Sequence, residues 1–353
     1  MLSHIWSLFV MDNLKKLKSL KGKTIAIVYI FEKEKAEGFD HFYIWKDEIL
    51  LSWLKAIYEI KCVPYILDVR TFMQKASNHT LPHIDFVLNL NNGCFQLSTM
   101  SLVPSICSFL NIPCIPCNSL SILSCENKLI SNCIINESKI LVPNKLNDKE
   151  NYGIYRPINL GNSMGIELGK FNHKNNNGIY QEFIPGYDIT IPIMYNFVTD
   201  TMEILPATLY LPDSLDPNWI YDEKAKMDDI GFKTFLISKM EKDLINELKK
   251  ILKVFEITTF ARIDARIKCN KKKLSNKILD EPLKLSDLYF IEINSMPTIE
   301  PDDGFDIAYK GVLSIPNNIF FDCINIYEDF VENPTVNGFI LASSIISYIT
   351  SMC

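Results

Sequence analysis

Phe260-Ala261-Arg262-Ile263-Asp264, followed after a lysine-rich segment by Tyr289-Phe290-Ile291-Glu292-Ile293-Asn294-Ser295-Met296-Pro297, decides how the chain is read. The two apolar runs read as strands joined by a polar loop, with Lys271, Lys272 and Lys273 in a solvated turn. Side chains alternate between the faces of a strand, so Glu292 and Asn294 share a face, as do Arg262 and Asp264. Asp264, Glu292 and Asn294 are hard oxygen ligands on neighbouring strands. Such a set suits magnesium, which takes one or two carboxylates and completes its shell with water and phosphate oxygens. Arg262 adds a fixed positive charge on the same face. A solvated hairpin accounts for one such acid. Four polar groups at alternate positions of two apolar strands point to a site.

The chain has 353 residues, enough for two or three domains with a substantial core. Its net charge of −6, without a long basic block, argues against a nucleic-acid partner. Ten cysteines are scattered through apolar contexts rather than set out as a disulfide framework. Reduced, buried thiols in a cytoplasmic protein are therefore expected. Cys114-Ile115-Pro116-Cys117 has the spacing of redox and zinc sites, but no second pair follows. Met1 to Val10 is apolar yet lacks a basic start and a small-residue cleavage site, so it is not read as a signal peptide, and Met11 is an alternative start. The segment from Gly338 to Cys353 carries four serines and is too short and polar to span a bilayer; a packed terminal helix is expected.

Thr24 to Ile30, Cys62 to Leu67, Phe86 to Leu90 and Cys114-Ile115 read as strands, alternating with helical periodicity over Trp45 to Ile60 and Leu102 to Leu110. This alternation predicts a doubly wound α/β domain. Further on come a helix around Lys128, strands at Gly153 to Ile158, Gly178 to Ile184 and Asp188 to Phe197, a loop from Asp222 to Met227, and a helix over Ser238 to Phe255.

These pieces, in this order, resemble the ATP-grasp superfamily and, within it, the D-alanine–D-alanine ligases, most closely over residues 150–300. Arg262-x-Asp264 and Glu292-x-Asn294-x-x-Pro297 are similar to the family's R-x-D and E-x-N-x-x-P signatures. The resemblance implies that Asp264, Glu292 and Asn294 hold magnesium, with manganese as a substitute, and that Arg262 contacts the transferred phosphoryl group. Tyr155-Arg156-Pro157 through Gly161-Asn162-Ser163-Met164-Gly165 looks like the family's lysine-proline strand and phosphate-covering loop, with Arg156 in place of the lysine. Gln181-Glu182-Phe183-Ile184, followed by Asp188, is similar to the adenine-side hinge and its ribose acid. Lys128, after Asn127, and Lys226 match the family's phosphate lysines. The implied architecture is α/β (α+β): an N-terminal α/β domain over 1–120, a central lid over 121–190, and a C-terminal ATP- and metal-binding domain over 191–353.

The substrate half departs from the family. Its glycine-rich glutamate segment is Phe31-Glu32-Lys33-Glu34-Lys35 here, and its histidine-glycine loop is Asn89-Leu90-Asn91-Asn92-Gly93-Cys94-Phe95. Asn162 replaces a serine, Met227 a tyrosine and Thr298 a glycine. The expected activity is an ATP-dependent carboxylate–amine ligase that uses an acid other than D-alanine. A non-catalytic nucleotide-binding homologue is the alternative. The expected partners are ATP, a small carboxylate and a small amine, with neither nucleic acid nor membrane, and a homodimer is the assembly to test. Asp264→Ala and Glu292→Ala are each expected to leave the fold intact and remove metal-dependent ATP binding.

Overall fold

A computed structural model describes residues 2–30, 47–93, 99–146, 152–161, 163–170, 177–228, 230–269, 281–315, 318 and 320–351. Strands β1 (Thr24–Tyr29), β2 (Val63–Asp68), β3 (Phe86–Leu90) and β4 (Cys114–Ile115) form a parallel sheet in the order β2-β1-β3-β4. Parallel pairing needs crossovers, and among them are the helices Asp47–Glu59, Val69–Ser77 and Leu102–Phe109. Ile25, Ile27 and Tyr29 enter one core while Ala26 and Val28 enter another, so β1 is buried on both faces. The α/β expectation holds.

A second sheet is antiparallel, β6-β5-β7, from β5 (Gly153–Pro157), β6 (Glu167–Gly169) and β7 (Gly178–Glu182). The third contains β8 (Gly186–Asn196), β9 (Thr201–Ile204), β10 (Ala207–Pro212), β11 (Phe232–Ile237), β12 (Phe260–Lys268) and β13 (Leu288–Asn294). Its path is β11-β10-β8-β12-β13, with β9 beside β8. Strand β8 runs along all of β12, placing Thr190 opposite Asp264 and Asp188 opposite Arg266. A Cβ on Gly186 would run into the Ile267 carbonyl, so this close approach requires glycine.

Three features differ from the sequence reading. The expected loop from Asp222 to Met227 is a short helix, Glu223–Asp228, whose first turn is capped by Asp222 accepting from the Ala225 N–H at 2.9 Å. The expected helix over Ser238 to Phe255 begins only at Lys242 and ends at Val254. The β12–β13 pairing is shifted between Asp264 and Ala265, which leaves Ile291 as an extra residue on β13.

The helix Val336–Ser351 packs against the helix Asp47–Glu59, burying Phe339, Ile340, Leu341 and Ile345 in the core that also holds Trp53 and β1. Glu59 fastens this junction: its carboxylate accepts from the Thr335 N–H at 3.0 Å, from the Thr335 hydroxyl at 2.7 Å, and from the Tyr327 hydroxyl. The terminal segment is thus a packed helix. Among the described residues no helix is long and apolar enough to cross a membrane.

Candidate active site

The antiparallel register sets Asp264 opposite Glu292 and Arg262 opposite Asn294. The other face of these strands carries Ala261, Ile263, Ala265, Phe290 and Ile293 into the core. Burial of those apolar groups fixes the face, and the four polar side chains line a cavity of about 850 Å³. The same cavity is lined by Lys128, Arg156, Ser163, Gln181, Glu182, Phe183, Ile184, Asp188 and Lys226. Side chains from all along the chain therefore converge on one space.

Arg262 grips Asp264 in a fork, Nε to Oδ1 and Nη2 to Oδ2, both at 2.9 Å. The Thr190 hydroxyl donates to Asp264 Oδ1 at 2.7 Å. Burial disfavours the Arg262 charge, but Asp264 outweighs it and holds the guanidinium protonated. Opposite them, Glu292 Oε2 meets Arg156 Nη2 at 3.2 Å and Lys128 Nζ at 3.3 Å. Arg156 also donates to the Ile291 carbonyl at 3.1 Å, and Lys128 to the Leu160 carbonyl at 2.7 Å. The Lys128 helix starts here because Asn127 caps it by accepting from the N–H groups of Leu129 and Ile130.

Burial alone would raise the Glu292 carboxyl, but Lys128 and Arg156 hold it down at about 2. Its ordinary value is 4.5, so its contribution to stability is fully present above that pH and is lost as pH falls towards 2. The shift corresponds to on the order of 3 kcal/mol. In urea titrations from pH 7 to 2.5, the parent protein is expected to lose this increment in acid relative to Glu292→Gln. Parallel pH profiles for the two proteins would contradict the pairing.

Lys226 Nζ donates to Ser163 Oγ at 2.7 Å, and Ser163 donates to the Tyr221 carbonyl at 3.1 Å. The glycine-flanked loop is thereby fastened to the opposite wall. On the hinge side, Gln181 donates to the Pro143 carbonyl at 2.9 Å, and Glu182 Oε1 accepts from the Asn144 N–H and carboxamide at 2.9 and 2.8 Å. Asp188 is engaged at both oxygens, by Arg266 Nη1 at 2.9 Å and the Tyr221 N–H at 2.8 Å.

Arg266 was not singled out in the sequence reading. It is buried, and it donates to the carbonyls of Ile184, Gly186, Pro217 and Trp219 besides Asp188. Its guanidinium lies 5.0 Å from the Phe183 ring centroid. The signal was present, since Arg262, Asp264 and Arg266 occupy alternate positions of one strand.

The donors Asp264, Glu292 and Asn294 fit a hard divalent cation: two carboxylates and an amide oxygen face one cavity. Glu292 Oε1 has no hydrogen-bond partner among the described residues, because both cations engage Oε2. Among the described residues no cluster of three His, Cys, Asp or Glu side chains could hold a metal, so this set depends on Asn294 and on oxygens from outside the protein. Cys114 and Cys117 are buried, and burial pushes both thiols up, away from the reactive thiolate. Phe31 to Lys35, Asn162, and the side chain of Met227 lie outside the described residues.

No family model matches the chain. A D-alanine–D-alanine ligase of Clostridium botulinum (strain Eklund 17B / Type B) is 24% identical over 257 residues, spanning 65% of this chain and 76% of that protein. The crystal structure of a D-alanine–D-alanine ligase from Bacillus anthracis complexed with ATP superposes with a TM-score of 0.56 at 16% identity, covering 88% of this chain and 96% of that one. The VanG D-Ala:D-Ser ligase from Enterococcus faecalis gives a TM-score of 0.54 at 14% identity, covering 87% of this chain and 100% of that one. The chain shares the fold of these ligases, the α/β ATP-grasp fold. In sequence it is similar to a D-alanine–D-alanine ligase.

Proposed function

We propose that the chain is an ATP-dependent carboxylate–amine ligase that acts on an acid other than D-alanine. The observation that carries this reading is the convergence of Lys128, Arg156, Lys226 and Arg262 with Asp264, Glu292 and Asn294 on a single cavity. Cations gathered around Asp264 and Glu292 on the wall of one cavity suit a polyphosphate with its counter-ion.

In this mechanism ATP lies between the hinge Glu182–Ile184 and the loop Gly161–Gly165. Magnesium would be held by Asp264, Glu292 and Asn294 and would supply positive charge to offset that of the polyphosphate. Lys128 and Arg156 stand behind Glu292 and keep it ionised at neutral pH. Arg262, oriented by Asp264, offsets the charge that develops on the transferred phosphoryl group. A substrate carboxylate attacks the γ-phosphorus, ADP leaves, and an acyl phosphate forms. The amine then attacks the acyl carbon and expels phosphate, leaving an amide. The protein forms no covalent bond, so positioning and electrostatics do the catalytic work. Ser163, between Lys226 and Tyr221, holds the loop over the site and helps exclude water, which would otherwise hydrolyse the acyl phosphate.

The geometry changes which variant tests the metal set. Glu292→Ala would leave Lys128 and Arg156 buried without their partner, so a loss of ATP binding would be mixed with a loss of stability. Asp264→Asn keeps the shape and an acceptor for Thr190 but takes the charge from the Arg262 fork, so stabilisation by ligand is read for each protein against its own ligand-free melt. Mg·ATP at a hundredfold excess over its Kd is expected to stabilise the parent protein by about 2.7 kcal/mol, and to stabilise Asp264→Asn far less. Equal stabilisation of both proteins in thermal melts would overturn the metal assignment.

A further inference from the structure

The segment Asn89 to Gly93 runs from the last two residues of β3 into the turn beyond it, where the chain has crossed from one side of β1 to the other. Crevices beyond the carboxyl ends of strands at such a switch point are where α/β sheets bind ligands. Three asparagines stand here, and two of them build the turn. Asn89 Oδ1 accepts from the Asn91 N–H at 3.0 Å, and Asn91 Oδ1 accepts from the Gly93 N–H at 3.0 Å. Asn91 Nδ2 then donates to the Thr99 carbonyl at 2.8 Å. Gly93 has a φ of +72°, and a Cβ there would sit 2.5 Å from Thr99 Oγ1 and 2.8 Å from the Met100 nitrogen. The turn is therefore clamped against residues 99–100, and no bulkier residue fits at its end.

Asn92 takes no part in this construction. It is 7% exposed, lines the cavity, and its side chain has no hydrogen-bond partner among the described residues. A carboxamide on a rigid turn, facing the cavity with donor and acceptor both unspent, is available to a ligand. A carboxylate ligand would satisfy only Nδ2, and an ammonium ligand only Oδ1. An amide satisfies both at once with complementary geometry. Met100, packed against the turn, supplies an apolar flank.

We infer that Asn92 is a specificity-determining residue that reads an uncharged amide on the substrate, either a carboxamide side chain or a peptide group. This deepens the ligase reading and rests on it for the identity of the cavity. A substrate of this class differs from the small, amide-free amino acids named for the relatives.

The test measures binding without nucleotide, by calorimetry, with glutamine, glutamate, lysine and leucine as probes. The parent protein is expected to bind glutamine best. Asn92→Leu is expected to weaken glutamine by roughly 5- to 150-fold while leaving leucine unchanged or stronger. Asn92→Asp is expected to move the preference towards lysine, a change that a merely structural role would not produce. The same order of affinities in all three proteins, or a parent protein that binds none of the probes or binds glutamate best, overturns the assignment. The ligase reading fails on a separate signal, the absence of magnesium-dependent ADP release from a protein that does bind glutamine.

Discussion

Arg266→Leu is expected to destabilise the protein by about 3–5 kcal/mol, the range for breaking a buried charge pair. The guanidinium donates to four carbonyls and to Asp188, and so joins the hinge residues Ile184 and Gly186 to the Pro217–Trp219 segment. Leucine would fill part of the volume but leave those carbonyls without donors and the Asp188 charge without a partner. Arg266→Lys should recover only part of the loss, because an ammonium on a flexible stem cannot fork to these acceptors. Urea denaturation followed by tryptophan fluorescence reports the change, since Trp219 belongs to the segment that Arg266 holds. Stability of Arg266→Leu within about 0.5 kcal/mol of the parent, the range of an ordinary surface substitution, would show that the network contributes little.

Arg262→Gln is expected to lower kcat by roughly 100- to 1000-fold, the usual effect of removing one preorganised group aimed at developing charge. The KM for ATP should change much less, because Lys128, Arg156 and Lys226 still face the phosphates. Glutamine retains a hydrogen bond to Asp264 but not the charge. The split between kcat and KM is the diagnostic, since a general loss of the site would raise KM as well. An unchanged kcat would remove Arg262 from the chemistry.

The β12–β13 pair was legible because polar residues interrupt two apolar strands at period two. Its bulge was not, because the inserted residue, Ile291, is as apolar as its neighbours. Strand β8 is buried at every position from Ile189 to Asn196, so it carries no alternation from which its partners could be read. The Glu223–Asp228 helix has a cap signal in Asp222 but, at fewer than two turns, too little length to show a helical period. The pairing of Lys128 and Arg156 with Glu292 joins residues more than a hundred positions apart. Individual sequence positions carry the charges, and only the fold determines which acid they share. Asn92 is the converse case. The sequence marks an unusual asparagine run, and the hydrogen bonds show which member of it is left over.

The central claim, amide formation through an acyl phosphate, is tested most directly with an acid substrate whose carboxylate oxygens carry oxygen-18. The purified protein is given ATP, magnesium, an amine and a panel of acids that includes D-alanine and glutamine, and the released phosphate is analysed by mass spectrometry. The account predicts that one labelled oxygen passes from the carboxylate into phosphate for each amide formed, with D-alanine among the poorest acids. Release of unlabelled phosphate, with ADP formed by water alone, would contradict it.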